Sequence, residues 1–177
     1  SPAIAQIFTL LSDIFTKRNQ LDEALLLAKK GLQISKRWNQ IDTETVCCIY
    51  LIETLITRRE FDQAREVLNQ VKKRTRGFSP WFTDIIEESE VNLLITKGDI
   101  ESASKWALDK GLDYVDPIHP TNQNTYVHYA RILLYEGRTS AALRLVDRLL
   151  VDCESAEREA VHLKLLPLKC SILAKRG

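Results

Sequence analysis

"YARILLYEGRTSAALRLVDRLL", residues 129–150, places two apolar-striped segments on either side of a Glu-Gly-Arg turn. Before the turn, Tyr126, Tyr129, Ala130, Leu133 and Leu134 follow the i, i+3, i+4, i+7, i+8 spacing of a core-facing helix. After it, Ala142, Leu145, Val146, Leu149 and Leu150 repeat that spacing. The stretch reads as two antiparallel helices, with a small residue early in the second where the backbones converge.

The same arrangement occurs three more times. "NQLDEALLLAKKGL" (19–32), "REFDQAREVLNQV" (59–71) and "GDIESASKWALDKG" (98–111) align with "GRTSAALRLVDRLL" (137–150). Their common alanines are Ala24, Ala64, Ala103 and Ala142, separated by 40, 39 and 39 residues. A fixed period of this length marks a tandem repeat, in which each unit buries its apolar face on the next. The periodicity predicts helices at about 3–18 and 21–37, 42–58 and 61–75, 80–97 and 100–110, 123–136 and 138–153. A ninth is predicted over about 156–175, with Pro167 inside it counting against continuity. The expected fold is an all-α solenoid of helix-turn-helix pairs, resembling tetratricopeptide repeats and winding as a right-handed superhelix. It forms one domain over 1–177, with repeats at about 3–41, 42–79, 80–121 and 122–155. Tetratricopeptide units take about 34 residues, so these are longer by roughly a turn and a half of helix. The loop at 111–122, "GLDYVDPIHPTN", absorbs much of the third unit's length.

Composition limits function. At 45% hydrophobic and 28% charged residues, the chain can bury a core and solvate its surface. A formal net charge of +1 provides no general attraction to nucleic acid or an anionic membrane. The basic run Lys72, Lys73, Arg74, Arg76 falls at an expected helix C-terminus, where cations favour the macrodipole. No apolar stretch is long enough to span a bilayer, and no signal peptide opens the chain. The four cysteines have no metal-ligand spacing, and Cys47 and Cys48 read as buried thiols of a cytoplasmic protein rather than a redox pair. His119, His128 and His162 lie near no nucleophile motif, and Glu87, Glu88 and Glu90 point in different directions around one helix. The expectation is a non-enzyme without cofactor or metal. The start at Ser-Pro and the lack of any Met lead to the further expectation of a segment of a larger protein.

The C-terminal half resembles a particular family. Trp106, Ala107, Gly111 and Leu112, then Ala130, Arg131, Leu133, Leu134, Gly137 and Arg138, then Ala142, Leu143, Leu145 and Leu149 are similar to the repeat domain of large ATP-dependent LuxR-type transcriptional regulators, the MalT-like group. The likeness covers about 103–153. It departs at Gln123 and Thr125, at Glu157-Arg158, and at Leu163-Lys164 followed by Pro167. The resemblance implies an effector-sensing repeat region working beside a P-loop NTPase and a DNA-binding helix-turn-helix, neither of which has a motif here. The implied partners are a small inducer or a regulatory protein and those other modules. Direct nucleic-acid contact is not expected.

First helices of such pairs line the concave face. Eleven residues upstream of the aligned alanines stand Asp13, Glu53, Asn92 and Arg131, all polar in otherwise apolar helices. Asn124 and Val127 share the side of Arg131, and Gln6, Thr9, Ile49, Ile85 and Glu88 are their counterparts. The candidate groove is therefore Asp13, Glu53, Glu88, Asn92, Asn124 and Arg131, suited to an oligosaccharide, metabolite or peptide. A plain protein-binding scaffold with no small ligand is the alternative. Trp38, Trp81 and Trp106 are read as space-fillers between helices. The apolar last helix, with Val161, Leu163, Leu165, Leu166 and Leu168, is a candidate for self-association.

Overall fold

The computed structural model describes residues 2–155 and 159–176. Among them the chain is all helical: α1 (Pro2–Lys17), α2 (Leu21–Arg37), α3 (Ile41–Thr57), α4 (Phe61–Arg74), α5 (Pro80–Lys97), α6 (Ile100–Asp109), α7 (Gln123–Tyr135), α8 (Thr139–Ser155) and α9 (Glu159–Arg176). Expected and observed boundaries agree to within about two residues; the expected start of the last helix, at 156, lies outside the described residues.

The repeat is written most clearly in its turns. Asn19, Arg59, Gly98 and Gly137 all have positive φ, at 59°, 61°, 90° and 77°. Each stands five residues before its aligned alanine, so the left-handed residue recurs with the period of the repeat. Such a residue turns the chain out of the first helix while its amide still reaches back to it. Gln20, Glu60 and Arg138 N–H groups donate to the carbonyls of Phe15, Leu55 and Leu133 at 2.9 Å. The same three residues then accept from the amides of Ala24, Ala64 and Ala142 at 3.0 Å, opening the second helix. One residue thus closes one helix and starts the next, and no length is left over for a loop.

Asn and Gly tolerate a left-handed backbone, whereas Arg59 is exposed and bears its steric cost. Arg59→Gly is expected to stabilise the protein by about 0.5–1 kcal/mol, the relief of strain being partly offset by a more flexible unfolded chain. A urea midpoint unchanged or lowered in the variant would show that the turn carries no strain.

The described chain divides into two compact units, Ser1–Lys97 and Gly98–Gly177. In the first, α2 packs on α1 and α3, α4 on α3 and α5, and the first helices α1, α3 and α5 pack successively on one another. Its core is built around Leu51, Ile52, Leu55, Ala64, Leu68, Val71, Phe82, Ile86 and Leu93. The contact between α1 and α3 is a seam of hydroxyls: Thr9 Oγ1 lies 3.1 Å from Cys47 Sγ, and Thr16 Oγ1 lies 3.1 Å from Thr54 Oγ1. Ser12 donates to the carbonyl of Ala24 at 2.9 Å, tying α1 to α2 as well. Gly31 allows that close approach, since a Cβ there would stand 2.9 Å from Thr9 Oγ1 and 3.1 Å from the carbonyl of Ala5.

In the second unit α7 packs on α6, α8 and α9, and α8 on α9. Ile132, Leu133, Leu145, Leu149, Leu165 and Ile172 are fully buried. α9 runs through Pro167, against the expectation that the proline would count against it. Buried Leu165 and Ile172 hold the helix on both sides of the proline. The segment between α6 and α7 is pinned to its own unit. The Arg148 guanidinium donates to the carbonyls of Tyr114 and Asp116 at 2.5 and 2.7 Å, and Tyr126 Oη donates to the Asp116 carboxylate at 3.0 Å.

Candidate functional site

In the first unit the candidate residues Asp13 and Glu53 meet around a phenol. Asp13 is half-buried on α1 and pairs with Lys17 one turn later, at 2.6 Å. Tyr50 lies on α3, three residues before Glu53 and so on the same side. Its pKa is raised, first by partial burial, then by the Asp13 carboxylate, with Lys17 opposing and Glu53 adding to the rise. Asp13, Lys17 and Glu53 all act on the Tyr50 phenol, which makes Asp13, Lys17, Tyr50 and Glu53 one polar patch across two repeats. Tyr50 and Lys17 were not among the expected residues. Both could have been found by extending the register one turn in each direction from Asp13 and Glu53. Asn92 and Glu88 lie half-buried on α5, and Asn92 Oδ1 stands 3.5 Å from Thr96 Oγ1.

The second unit holds Asn124 and Arg131 on α7, both half-buried. Arg131 Nη1 lies 3.5 Å from His128 Nδ1. The His128 pKa falls to about 3, chiefly because burial disfavours the imidazolium, then because Arg131 and Lys164 repel it. Lys164 belongs to α9, so α7 and α9 together form a cationic face with a neutral imidazole in it. Lys175, also on α9, lies over the Tyr135 ring at 5.5 Å from its centre. This face differs in sign from the acidic patch of the first unit.

Two neighbours named with the groove are elsewhere. Thr9 and Val127 are buried, Thr9 in the seam between α1 and α3, because that register position packs between first helices. The tryptophans also depart from expectation. Trp38 and Trp81 are 55% and 51% exposed, since both stand where a second helix hands over to the next first helix, at the ends of the helices rather than between them. Trp106 is half-buried with Lys110 above its ring, and its Nε1 is buried without a hydrogen-bond partner among the described residues.

The remaining expectations about chemistry fall as follows. Cys47, Cys48 and Cys153 are buried free thiols and Cys170 is exposed. Burial, with Glu44 second, pushes the Cys48 thiol up to about 12, where it is a poor nucleophile. In the basic run, Lys72 pairs with Glu90 at 2.6 Å, and Arg74 donates to Asn39 Oδ1 at 2.6 Å and faces Glu44. Among the described residues no His, Cys, Asp and Glu group could hold a metal ion, and no helix is long and apolar enough to cross a membrane. Two recesses of about 380 and 460 Å³ flank the loop and α8 of the second unit, lined by Tyr114, Arg138 and Arg144 and by Ile118, Arg148 and Asp152 among others. Neither is lined by Asn124 or Arg131.

Helical pairs joined by one recurrent left-handed turn, with a fully buried alanine five residues on in every copy, define a tetratricopeptide-like helical repeat. The profile of the MalT-like TPR region matches residues 1–177, and the chain belongs to that family. No curated protein and no solved structure matches it significantly.

Proposed function

We propose that this repeat region senses an effector for a LuxR-type, MalT-like transcriptional regulator in the cytoplasm. It binds a small inducer or a regulatory protein through the open face of its first helices. The observation that carries this is the convergence of Asp13, Lys17, Tyr50 and Glu53 from two successive repeats on one patch. Carboxylates, an ammonium and a phenol together supply the donors and acceptors that a hydroxyl-rich ligand such as an oligosaccharide takes. Because the patch is shared by α1 and α3, a bound molecule would bridge repeats. It then favours whichever packing of α1 on α3 it fits more tightly, and only that difference in affinity can shift the protein between states. The NTPase and DNA-binding modules of the regulator would receive the shift. Arg131 and Asn124 would serve in the same way on α7.

Calorimetric titration with a panel of oligosaccharides and small metabolites tests this. Glu53→Ala and Arg131→Ala are the variants, each acting in one unit. Saturable binding weakened about tenfold, or roughly 1.4 kcal/mol, by one of them supports the sensor and assigns the unit. Binding indifferent to both removes these residues from the site. Silence across the panel moves the weight to a scaffold that binds a protein segment.

A further inference from the structure

The exposed aromatic residues of the first unit gather on one edge. Trp38 caps the C-terminus of α2, its amide donating to the Ser35 carbonyl at 3.1 Å. One period of the repeat later, 40 residues on, Phe78 follows the end of α4, and its amide donates to the Thr75 carbonyl at 3.0 Å. Trp81 stands in the first turn of α5. The connection from α2 to α3 and the end of α4 are joined directly: Arg74 Nη2 donates to Asn39 Oδ1, beside Trp38, at 2.6 Å. Three large rings, each more than half exposed, therefore lie where second helices hand over to first helices. Two of them are held from below, since the ring of buried Phe82 lies 5.2 Å from Trp81 and 6.4 Å from Phe78. Rings fixed beforehand lose little freedom when a partner covers them.

Cations accompany the rings. Arg37, Lys73 and Arg76 are exposed, and none of them pairs with a carboxylate among the described residues. Their neighbours Lys72 and Arg74 are already committed, to Glu90 and to Glu44. A basic last turn favours the helix macrodipole in any helix, so these cations alone indicate nothing. The macrodipole has no use for exposed indoles. Rings and unpaired arginines together have the composition of the anchors that dominate protein interfaces.

We propose that this edge binds an acidic segment of another protein, whose apolar side chains cover Trp38, Phe78 and Trp81 while its carboxylates pair with Arg37, Lys73 and Arg76. Charge selects this occupant. A single-stranded nucleic acid also stacks on aromatic rings, but its unbroken row of phosphates would meet Asp42 and Asp84, both exposed near the starts of α3 and α5. A peptide can carry carboxylates only where the cations stand. Glu53 lies toward the opposite end of α3, so this site and the patch around Tyr50 are independent of each other.

Panning the chain against a displayed library of random peptides tests the assignment. The recovered sequences are expected to be richer in aspartate and glutamate than the library, with apolar residues between them. Binding of a recovered peptide, followed by fluorescence anisotropy, should weaken about tenfold or more in Trp38→Ala and in Arg76→Glu. Arg144→Glu makes the same change in net charge on α8 of the second unit and should leave binding unaltered. Circular dichroism verifies that all three variants, each at an exposed position, remain folded. Recovered peptides no more acidic than the library, or none at all, would overturn the proposal. So would binding that Trp38→Ala and Arg76→Glu leave intact. Oligothymidylate that displaces the peptide at a lower concentration than the peptide itself would give the edge to single-stranded nucleic acid instead.

Discussion

Ala142→Leu lowers the stability of the protein by roughly 1–3 kcal/mol. Ala142 is fully buried, as are Ala24, Ala64 and Ala103, at the point where the second helix of each pair leaves its turn. Its own amide donates to the Arg138 carbonyl at 3.0 Å, only five residues after Gly137 reverses the chain. The turn has no slack, so the added isobutyl group cannot be relieved by lengthening the connection. It must push α8 away from α7 or take a poor rotamer. Arg144→Leu is the control, because it adds the same side chain two residues along at an exposed position; a change within about 0.5 kcal/mol is expected there. Urea midpoints of the two variants decide the matter. Equal, small shifts would mean that the recurrent alanine reflects helix preference rather than close approach.

His128 gives the second large effect, and it depends on pH. Its pKa is about 3 in the folded protein against an ordinary 6.5. Between those values the unfolded chain holds a proton that the folded chain refuses. Stability from this group is therefore fully present above pH 6.5 and declines as the pH falls toward 3. The full slope would be about 1.4 kcal/mol per pH unit, but the residue as a whole is only half-buried and solvent screens part of it. A loss of roughly 1–2 kcal/mol between pH 7 and about pH 4.5 is expected from this residue. His128→Gln cannot titrate and should lose less stability over the same interval by that amount. If the two proteins decline in parallel, the imidazole accepts its proton in the folded state at no cost.

The helices were legible because two short-range rules sufficed: the apolar stripe and the alanine five residues after a turn. The turns at Gly98 and Gly137 could be recognised from glycine itself. Asn19 and Arg59 adopt the same backbone without it, and only the register reveals them. In the candidate site, Asp13 and Glu53 were picked out by that register. Tyr50 and Lys17, in the same patch, were not, because one position per helix was compared, whereas a helix face extends over several turns. The state of His128 was not legible, since it depends first on how deeply the helices bury the ring, then on Arg131 and on Lys164, thirty-six residues away on another helix. The exposure of Trp38 and Trp81 was equally hidden: an indole reads as core by composition, and only its place at a helix end puts it in solvent. Pro167 misled in the opposite direction, because a local rule about backbone hydrogen bonds was weighed without the burial of Leu165 and Ile172 beside it.

The shared turn has a genetic consequence. Since the residue that closes one helix also opens the next in the same way in three of the four copies, an unequal crossover between two of these turns joins compatible ends. The product gains or loses one whole unit of 39 or 40 residues with no seam to repair. Lineages carrying this region can therefore differ in length by integral units while each junction remains a working one.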